Sequence, residues 1–390
     1  MTNLTLYQLQ PQALGFHFGE EGLELEESRI SFPSDSLFAA LVATVAEQEG
    51  AQAVKDFTAP FANGEPPFRL TSLFPYVGQL PLLPLPMLQI KLTPSASQLP
   101  RKFAKKVRFV SPGIFRRLVQ GDDMDEYMAS ETNDCLPAND HLSTNGRFLQ
   151  SKAIWLTQQE IDSLPTTWLE PPASLKGNRD EQRQRLREPD TLAARHVWQN
   201  GSVPRVTLDR ATNASTIYLM GRVAFNTECG LWLGVQYTDE SWRPRLENLL
   251  HHLGDRGIGG ERSNGYGAFK LINPPTLLPP LPPNPVGEYQ LLLSRYLPRE
   301  TEMSVIQDTH AAYQLIPVGG WLGSPRAQNL RRKRLTLVVE GSVLGPGAVQ
   351  GRIADVQPDW DGFPHPVWRS GLALTTPVAA QAVQGKEGQS

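Results

Sequence analysis

The sequence predicts an α+β fold whose first part is a split β-α-β sheet. Three observations predict it. Strand-like and helix-like segments fall into two groups around a long insertion, a glycine-rich run joins the last helix to the last strand, and a proline-rich break precedes a further set of strands. In the first group, residues 4–9 alternate as a strand does. Residues 32–48 follow as a helix, with Ser34 as a candidate N-cap and Asp35 in the first turn, where the helix dipole favours a carboxylate. Its apolar stripe is Leu37, Phe38, Leu41, Val42 and Val45. Residues 69–77 are a third element, a strand that Pro75 confines to an edge or shortens. In the second group, 216–225 and 231–237 read as two strands of a hairpin turning at 227–230. Residues 242–253 carry Leu246, Leu249, Leu250 and Leu253 at helical spacing, with Gly254 at the C-cap position. Residues 266–272 are the last strand. The resulting order, β-α-β, insertion, β-β-α-β, is the ferredoxin-like arrangement, which is also how RNA-recognition sheets are built.

The glycine-rich run reads GDRGIGGERSNGYGAF from Gly254 to Phe269. Gly257, Gly259, Gly260, Gly265 and Gly267 place five glycines within eleven residues, interleaved with Arg256, Ile258, Glu261, Arg262, Ser263, Asn264 and Tyr266. Glycine permits positive φ and close backbone approach. Exposed amides and arginine forks are the groups that grip phosphate. The two common nucleotide loops do not fit. A dinucleotide fingerprint begun at Gly257 needs glycine where Arg262 stands, and a P-loop ending at Gly265 needs lysine where Tyr266 stands. The plain alternative is a tight turn between two elements.

The chain has 390 residues and a net charge of −3, enough for two domains but not generically basic. Any RNA partner must therefore meet local charge. Candidate clusters are 101–109 with Arg116 and Arg117, the arginines at 179–187, Arg205 and Arg210, and RRKR at 331–334. Any one of these is more often a solvated face; an RNA-type fold shifts the reading toward contact at 101–117 and 205–210, whereas at 179–187 the alternation of acids with the arginines keeps the solvated face open. Cys135 and Cys229 have no metal-like spacing, so the sequence predicts no metal and no cofactor, and a reduced, cytoplasmic protein. No apolar run is long enough to span a bilayer, and no signal peptide is visible, so no membrane partner is expected.

Proline organises the rest. Residues 274–285, PPTLLPPLPPNP, favour stiff extended chain and divide residues 1–273 from a second domain at 286–378. In that domain 289–296 and 334–340 read as strands, which by themselves support only a mixed α/β unit. The polar tail 379–390 is expected to be disordered. The insertion spans about 78–204.

Four segments carry a resemblance: PSDSLFAALV at 33–42, VPRVTLDRATNAS at 203–215, the glycine-rich run, and GGW at 319–321 with HPVWRSGLAL at 365–374. The chain resembles the RAMP superfamily of CRISPR proteins, whose hallmark is such a loop. More closely, it looks like the type III-A (Csm complex) subunit that caps the 5′ end of the guide RNA. The resemblance implies two ferredoxin-like (RRM-like) domains, with a thumb-like insertion in the first that separates bases of the guide–target duplex. Candidates for the thumb are 148–155 and 192–198, where Trp155, His196 and Trp198 offer a stacking surface or, equally, core aromatics. It further implies a non-catalytic subunit for antiviral defense. Such a subunit holds the 5′ tag of the guide RNA (crRNA), lies near the target RNA, and bridges the large polymerase-like subunit to a backbone RAMP subunit. The tag would meet the loop from Arg256 to Tyr266, the helix start Ser34, Asp35 and Ser36, Arg205, Arg210, and His17 in the GFHFG segment.

The rival reading is a metal-independent RAMP endoribonuclease processing CRISPR repeat RNA, with His17 as acid or base. Nucleases of that kind place a histidine near the first helix, and the first helix here contains none. His251 and His252 end the second helix, where the dipole suits a cation. The remaining histidines are scattered, and no catalytic residue is assigned.

Overall fold

The computed structural model describes residues 4–12, 14–19, 25–91, 106–127, 145–174, 178–208, 215–278, 287–322, 330–360, 363 and 365–383. The chain is α+β, with every strand pairing antiparallel except one pair in the insertion. The first unit is built on β1 (Leu4–Pro11), β2 (Phe68–Leu70), β3 (Phe74–Val77), β4 (Leu80–Pro81), β11 (Cys229–Tyr237) and β12 (Phe269–Leu278). They line up as β12-β1-β11-β3-β4, with β2 also on β11. The strand expected at 69–77 is thus broken in two, and both pieces lie on β11.

One face of this sheet carries Tyr7, Leu9, Leu231, Leu233 and Val235 against α1 (Ser34–Gln48), α2 (Gly50–Ala62) and the helix Arg243–Arg256. Leu37, Phe38, Leu41 and Val45 of the predicted stripe are buried there. The first helix begins at Ser34 with Pro33 as N-cap and no side-chain cap, so Ser34 is not the cap that its residue type suggests. The second helix runs one turn past the expected Gly254 and ends at Gly257. Gly254 lies inside it, where a Cβ would stand 2.5 Å from the Phe269 carbonyl oxygen. Close packing on β12 therefore requires that glycine, and chain termination does not.

The opposite face, with Phe74, Tyr76 and Trp232, is covered by the insertion. Its sheet is ordered β5 (Leu83–Pro84), β6 (Phe109–Val110), β8 (Ile154–Thr157), β7 (Gly146–Leu149), backed by the helix Pro112–Gln120. Trp232 Nε1 donates to the Leu82 carbonyl at 2.8 Å, locking the insertion to the sheet. Both expected thumb segments lie in this core. Phe148, Trp155, Leu192 and Trp198 are buried, and Trp155 Nε1 is satisfied by the Tyr127 carbonyl.

The segment that does project is a hairpin of β9 (Trp198–Leu208) and β10 (Ser215–Phe225), paired over eleven residues each. The expected pairing of 216–225 with 231–237 does not occur. β11 is buried along nearly all its length and takes the sheet centre, leaving β10 to pair with β9. Arg210 lies at 209–214, outside the described residues.

β12 continues through Pro274 to Leu278, so the first residues assigned to the linker are strand. A register shift between Leu6 and Gln8 of β1 accommodates the two prolines on what is an edge strand. Beyond it come β13 (Tyr289–Leu292), β14 (Leu315–Val318), β15 (Leu335–Val338), β16 (Val343–Leu344), β17 (Ile353–Asp355), β18 (Trp368–Ser370) and β19 (Thr375–Val378). β13 lies between β16 and β19, and β14 pairs with β15. Bridges Tyr296↔Val338 and Ala312↔Val343 join these pieces into one path, β14, then β15 with β16, then β13, then β19. The expected full helices are absent among the described residues of this unit. Helix here amounts to a 3-10 turn at Glu300–Glu302 and one turn at Met303–Ile306. The tail is not wholly unstructured either. Ala380–Val383 is helical, Ala382 is buried against Gly121, and the Ala379 amide donates to the Val119 carbonyl.

Candidate nucleic-acid interface

The glycine-rich loop leaves the helix at Gly257 and crosses the sheet end to reach β12. Gly257, Gly259, Gly265 and Gly267 all have φ between +83° and +87°. Two positions show why no larger residue fits. A Cβ on Gly267 would stand 2.1 Å from the Ile258 carbonyl oxygen, and one on Gly259 would stand 2.4 Å from that of His17. The loop is sewn to the GFHFG segment: the Gly260 amide donates to His17 O at 2.9 Å and the Gly267 amide to Gly15 O at 2.9 Å. The Ile258 amide donates to Gly267 O at 3.0 Å. Most of the loop's amides are therefore spent on the fold, contrary to an open cradle of N–H groups. Ile258 and Tyr266 are buried as its anchors.

What faces outward is a single 3-10 turn, Arg262–Asn264, closed by Gly265, with all four residues exposed. Glu261 before it holds φ at +57° and accepts from Asn264 Nδ2 at 2.6 Å. Cations ring this turn. Arg256 pairs with Glu47 at 2.6 Å. Desolvation, then the neighbouring Arg256 charge, lower the Arg262 pKa from the usual arginine value. From the hairpin, Arg205 lays its guanidinium 5.6 Å from the Tyr266 ring centroid, tying β9 to the loop. Arg256 Nη1 and Arg205 Nε are buried and find no acceptor among the described residues. Arg262 also lies in the field of Glu47, so one carboxylate serves two arginines, and the Arg256 and Arg205 donors are groups of the kind that bind an anion.

The other expected contacts are elsewhere. His17 is 7% exposed, and its Nδ1 donates to the Gly221 carbonyl at 2.7 Å, so the ring is packed beneath the loop. Ser34 and Asp35 are buried at the joint between the two units. Ser34 donates its amide to Ser72 Oγ and accepts the Arg295 amide on its own Oγ, each at 2.9 Å. Asp35 pairs with Arg369 at 3.0 Å, the two side chains 2% and 12% exposed. Ser36 Oγ accepts from the same arginine at 2.9 Å. Beside them Arg295 pairs with Glu340 at 3.0 Å, and Ser72 also donates to Glu340. The helix start thus binds the second unit, and its polar groups are occupied. Among the described residues no group of three or more His, Cys, Asp or Glu could hold a metal ion.

The β9–β10 hairpin escaped the sequence reading. Its register sets Val206 opposite Ile217, with Leu208 and Leu219 on the same outward side. Leu208 and Ile217 are 70% and 71% exposed. The signal available was VPRVTL itself, an alternating stretch at 203–208 that precedes the strand expected at 216–225.

Residues 286–378 match the family described as CRISPR Csm4 C-terminal domain. The "CRISPR system Cms protein Csm4" of Thermococcus onnurineus is 24% identical over 356 residues, covering 91% of this chain and 93% of that one. Its counterpart in Mycobacterium tuberculosis is 26% identical over 358 residues, covering 90% and 91%. The fold is shared with a crystal structure of a Csm3-Csm4 subcomplex in the type III-A CRISPR-Cas interference complex (TM-score 0.59, 18% identity, 96% of this chain and 99% of that one). It is also shared with a Csm1-Csm4 cassette in complex with cA4 (TM-score 0.52, 17% identity, 96% and 98%). The domain match at 286–378, the similarity to Csm4 proteins along nine-tenths of the chain and the shared fold together support a Csm-type RAMP subunit.

Proposed function

We propose that this chain holds the 5′ repeat-derived tag of the guide RNA and does no chemistry on it. The observation that carries this reading is the exposed turn Arg262–Gly265, ringed by Arg256, Arg262 and Arg205 with donors left unanswered. Phosphates would supply affinity and salt dependence there. The buried, hydrogen-bonded His17 argues against the endoribonuclease, because a general acid or base must reach the proton it moves.

The first unit is a ferredoxin-like RAMP domain in this reading, supported by the strand sequence β12-β1-β11-β3 around two helical segments. The second repeats that strand path with its helices reduced. The thumb is the β9–β10 hairpin, whose bare Val206, Leu208 and Ile217 suit insertion beside bases near the target RNA. Relatives captured with Csm3 and with Csm1 support a bridge between a backbone RAMP subunit and the large polymerase-like subunit. Such a complex would work in the cytoplasm.

The test uses guide RNA with and without its 5′ tag, mixed with the protein in EDTA and in Mg²⁺ at two salt concentrations. Tag-dependent, salt-sensitive binding of intact RNA is the expected result. Cut RNA, abolished by His17→Ala, would replace this reading with the nuclease.

A further inference from the structure

The second unit carries an aromatic and basic surface that the tag site does not use. Trp321 is 60% exposed and Trp360 is 52% exposed, the most solvent-facing tryptophans among the described residues. A large indole left in water is uncommon without a partner. Trp321 is held in place by an antiparallel bridge to Arg331. The Arg331 guanidinium lies 4.7 Å from the indole centroid, which stiffens a ring that stays largely exposed. The Arg332 amide donates to the Gly320 carbonyl at 3.1 Å, a second tie between the two stretches.

The second tryptophan is held to the same surface. The Lys333 amide donates to the Val356 carbonyl at 2.9 Å. The Lys333 ammonium pairs with Asp359 at 2.6 Å, immediately before Trp360. Trp360 meets Phe363 edge-on at 6.4 Å, and Phe363 meets His365 at 4.8 Å. Arg331 to Arg334 are four successive cations in the sequence, and the segment they meet through Lys333 carries two carboxylates, Asp355 and Asp359. Of these, Asp355 already accepts the Gln357 and Val367 amides at 3.0 and 2.8 Å. In a chain of net charge −3 this is a locally basic run.

We infer that this surface, Trp321 with Arg331 and Trp360 beside Lys333, is a stacking platform for a single-stranded RNA segment. Unpaired bases would lie on the indole faces while the cations follow the phosphates. Double-stranded RNA buries its base faces and could not use it. The inference stands on the second unit alone and does not depend on the tag reading of the glycine-rich loop.

The test uses the full chain and a short fluorescent RNA lacking the tag, read by anisotropy at low salt, with single-stranded DNA and a duplex of the same sequence as controls. Trp321→Ala and Trp360→Ala should each weaken RNA binding by about tenfold, the size of one lost base stack. Trp321→Phe should restore most of it, and the duplex should not respond to any of the three. Arg262→Ala separates the two sites, because it should reduce tag preference and leave the effect of Trp321→Ala in place. A companion measurement on the unaltered chain uses RNA carrying 4-thiouridine, with cross-links expected on peptides containing Trp321 or Trp360. Wild-type affinity in both alanine variants, or cross-links confined to other peptides, would overturn the inference. Unchanged RNA binding with loss of a neighbouring protein subunit would also overturn it, and would make the surface a protein-docking site.

Discussion

The start of the first helix and the glycine-rich loop look alike as sequence, and the fold treats them in opposite ways. Both are short polar stretches beside helix ends, and the resemblance assigns both to RNA. At the helix start, Asp35 is sealed against Arg369, and Ser34 bonds Ser72 and the Arg295 backbone. At the loop, Arg262, Ser263 and Asn264 are open to solvent and the surrounding arginines keep donors in reserve. The difference teaches that polar residue type marks where hydrogen bonds are needed and not who supplies them. A second unit docked on the helix start uses its groups up, whereas nothing among the described residues covers the loop's outer turn.

Stability measurements give the strongest way to break that comparison. Removing one partner of a buried ion pair leaves the other charge unanswered, which costs about 3–5 kcal/mol. Asp35→Ala should lose stability of that order in denaturant titration, and guide binding by the remaining folded protein should be unchanged. A variant that keeps its stability and loses RNA would return Asp35 to the interface.

Gly267→Ala comes next. It places a Cβ 2.1 Å from the Ile258 carbonyl oxygen at φ +87°, a strain of about 1–3 kcal/mol. It should lower both melting temperature and guide affinity, because the loop's shape and the position of Arg262 depend on it. Arg262→Ala sharpens the contrast from the other side. Stability should stay within about 0.5 kcal/mol, as at exposed sites generally. The salt slope of tag binding should fall by about 1, the signature of one lost phosphate contact.

The smallest effect is a control for the sheet that carries both regions. Burial, then the neighbouring Glu228 charge, push the Cys229 thiol up to about 12, so it stays protonated at neutral pH. Iodoacetamide should leave Cys229 unmodified in the native protein and label it on unfolding, as followed by mass spectrometry. Rapid native labelling would mean that β11 opens, and the other three comparisons would then need repeating at lower temperature.

Much of the fold was legible in periodicity. The stripe at Leu37, Phe38, Leu41 and Val45 and that at Leu246, Leu249, Leu250 and Leu253 both face the sheet. The strands at 4–9 and 231–237 stand where their alternation and apolar character suggest. Pairing was not legible. Nothing local in 216–225 names β9 or β11 as its partner, and the choice is made by which strand fills the sheet centre: β11, buried on both faces, takes it. Trp155 and Trp198 show the same limit, since an aromatic cluster reads identically whether it caps a core or awaits a base. In the site, the positions of the glycines and arginines were legible, while the spending of the loop's amides, its exposed turn and the burial of His17, Ser34 and Asp35 were not.

The sequence by itself determined the α+β class, the helix faces, the glycine positions that no larger side chain can occupy, and the family signature spread along the chain. Those are local properties: backbone sterics and side-chain periodicity act over a few residues and need no partner. Tertiary structure alone decided which strands pair, that two of the loop's amides are taken by the GFHFG segment, and that the hairpin projects while the tryptophans of the insertion are core. It also decided that Asp35 answers to Arg369, more than three hundred residues away. Contacts of that range depend on which surfaces the packed units leave over, and burial changes a polar group's role by removing the water that would otherwise satisfy it.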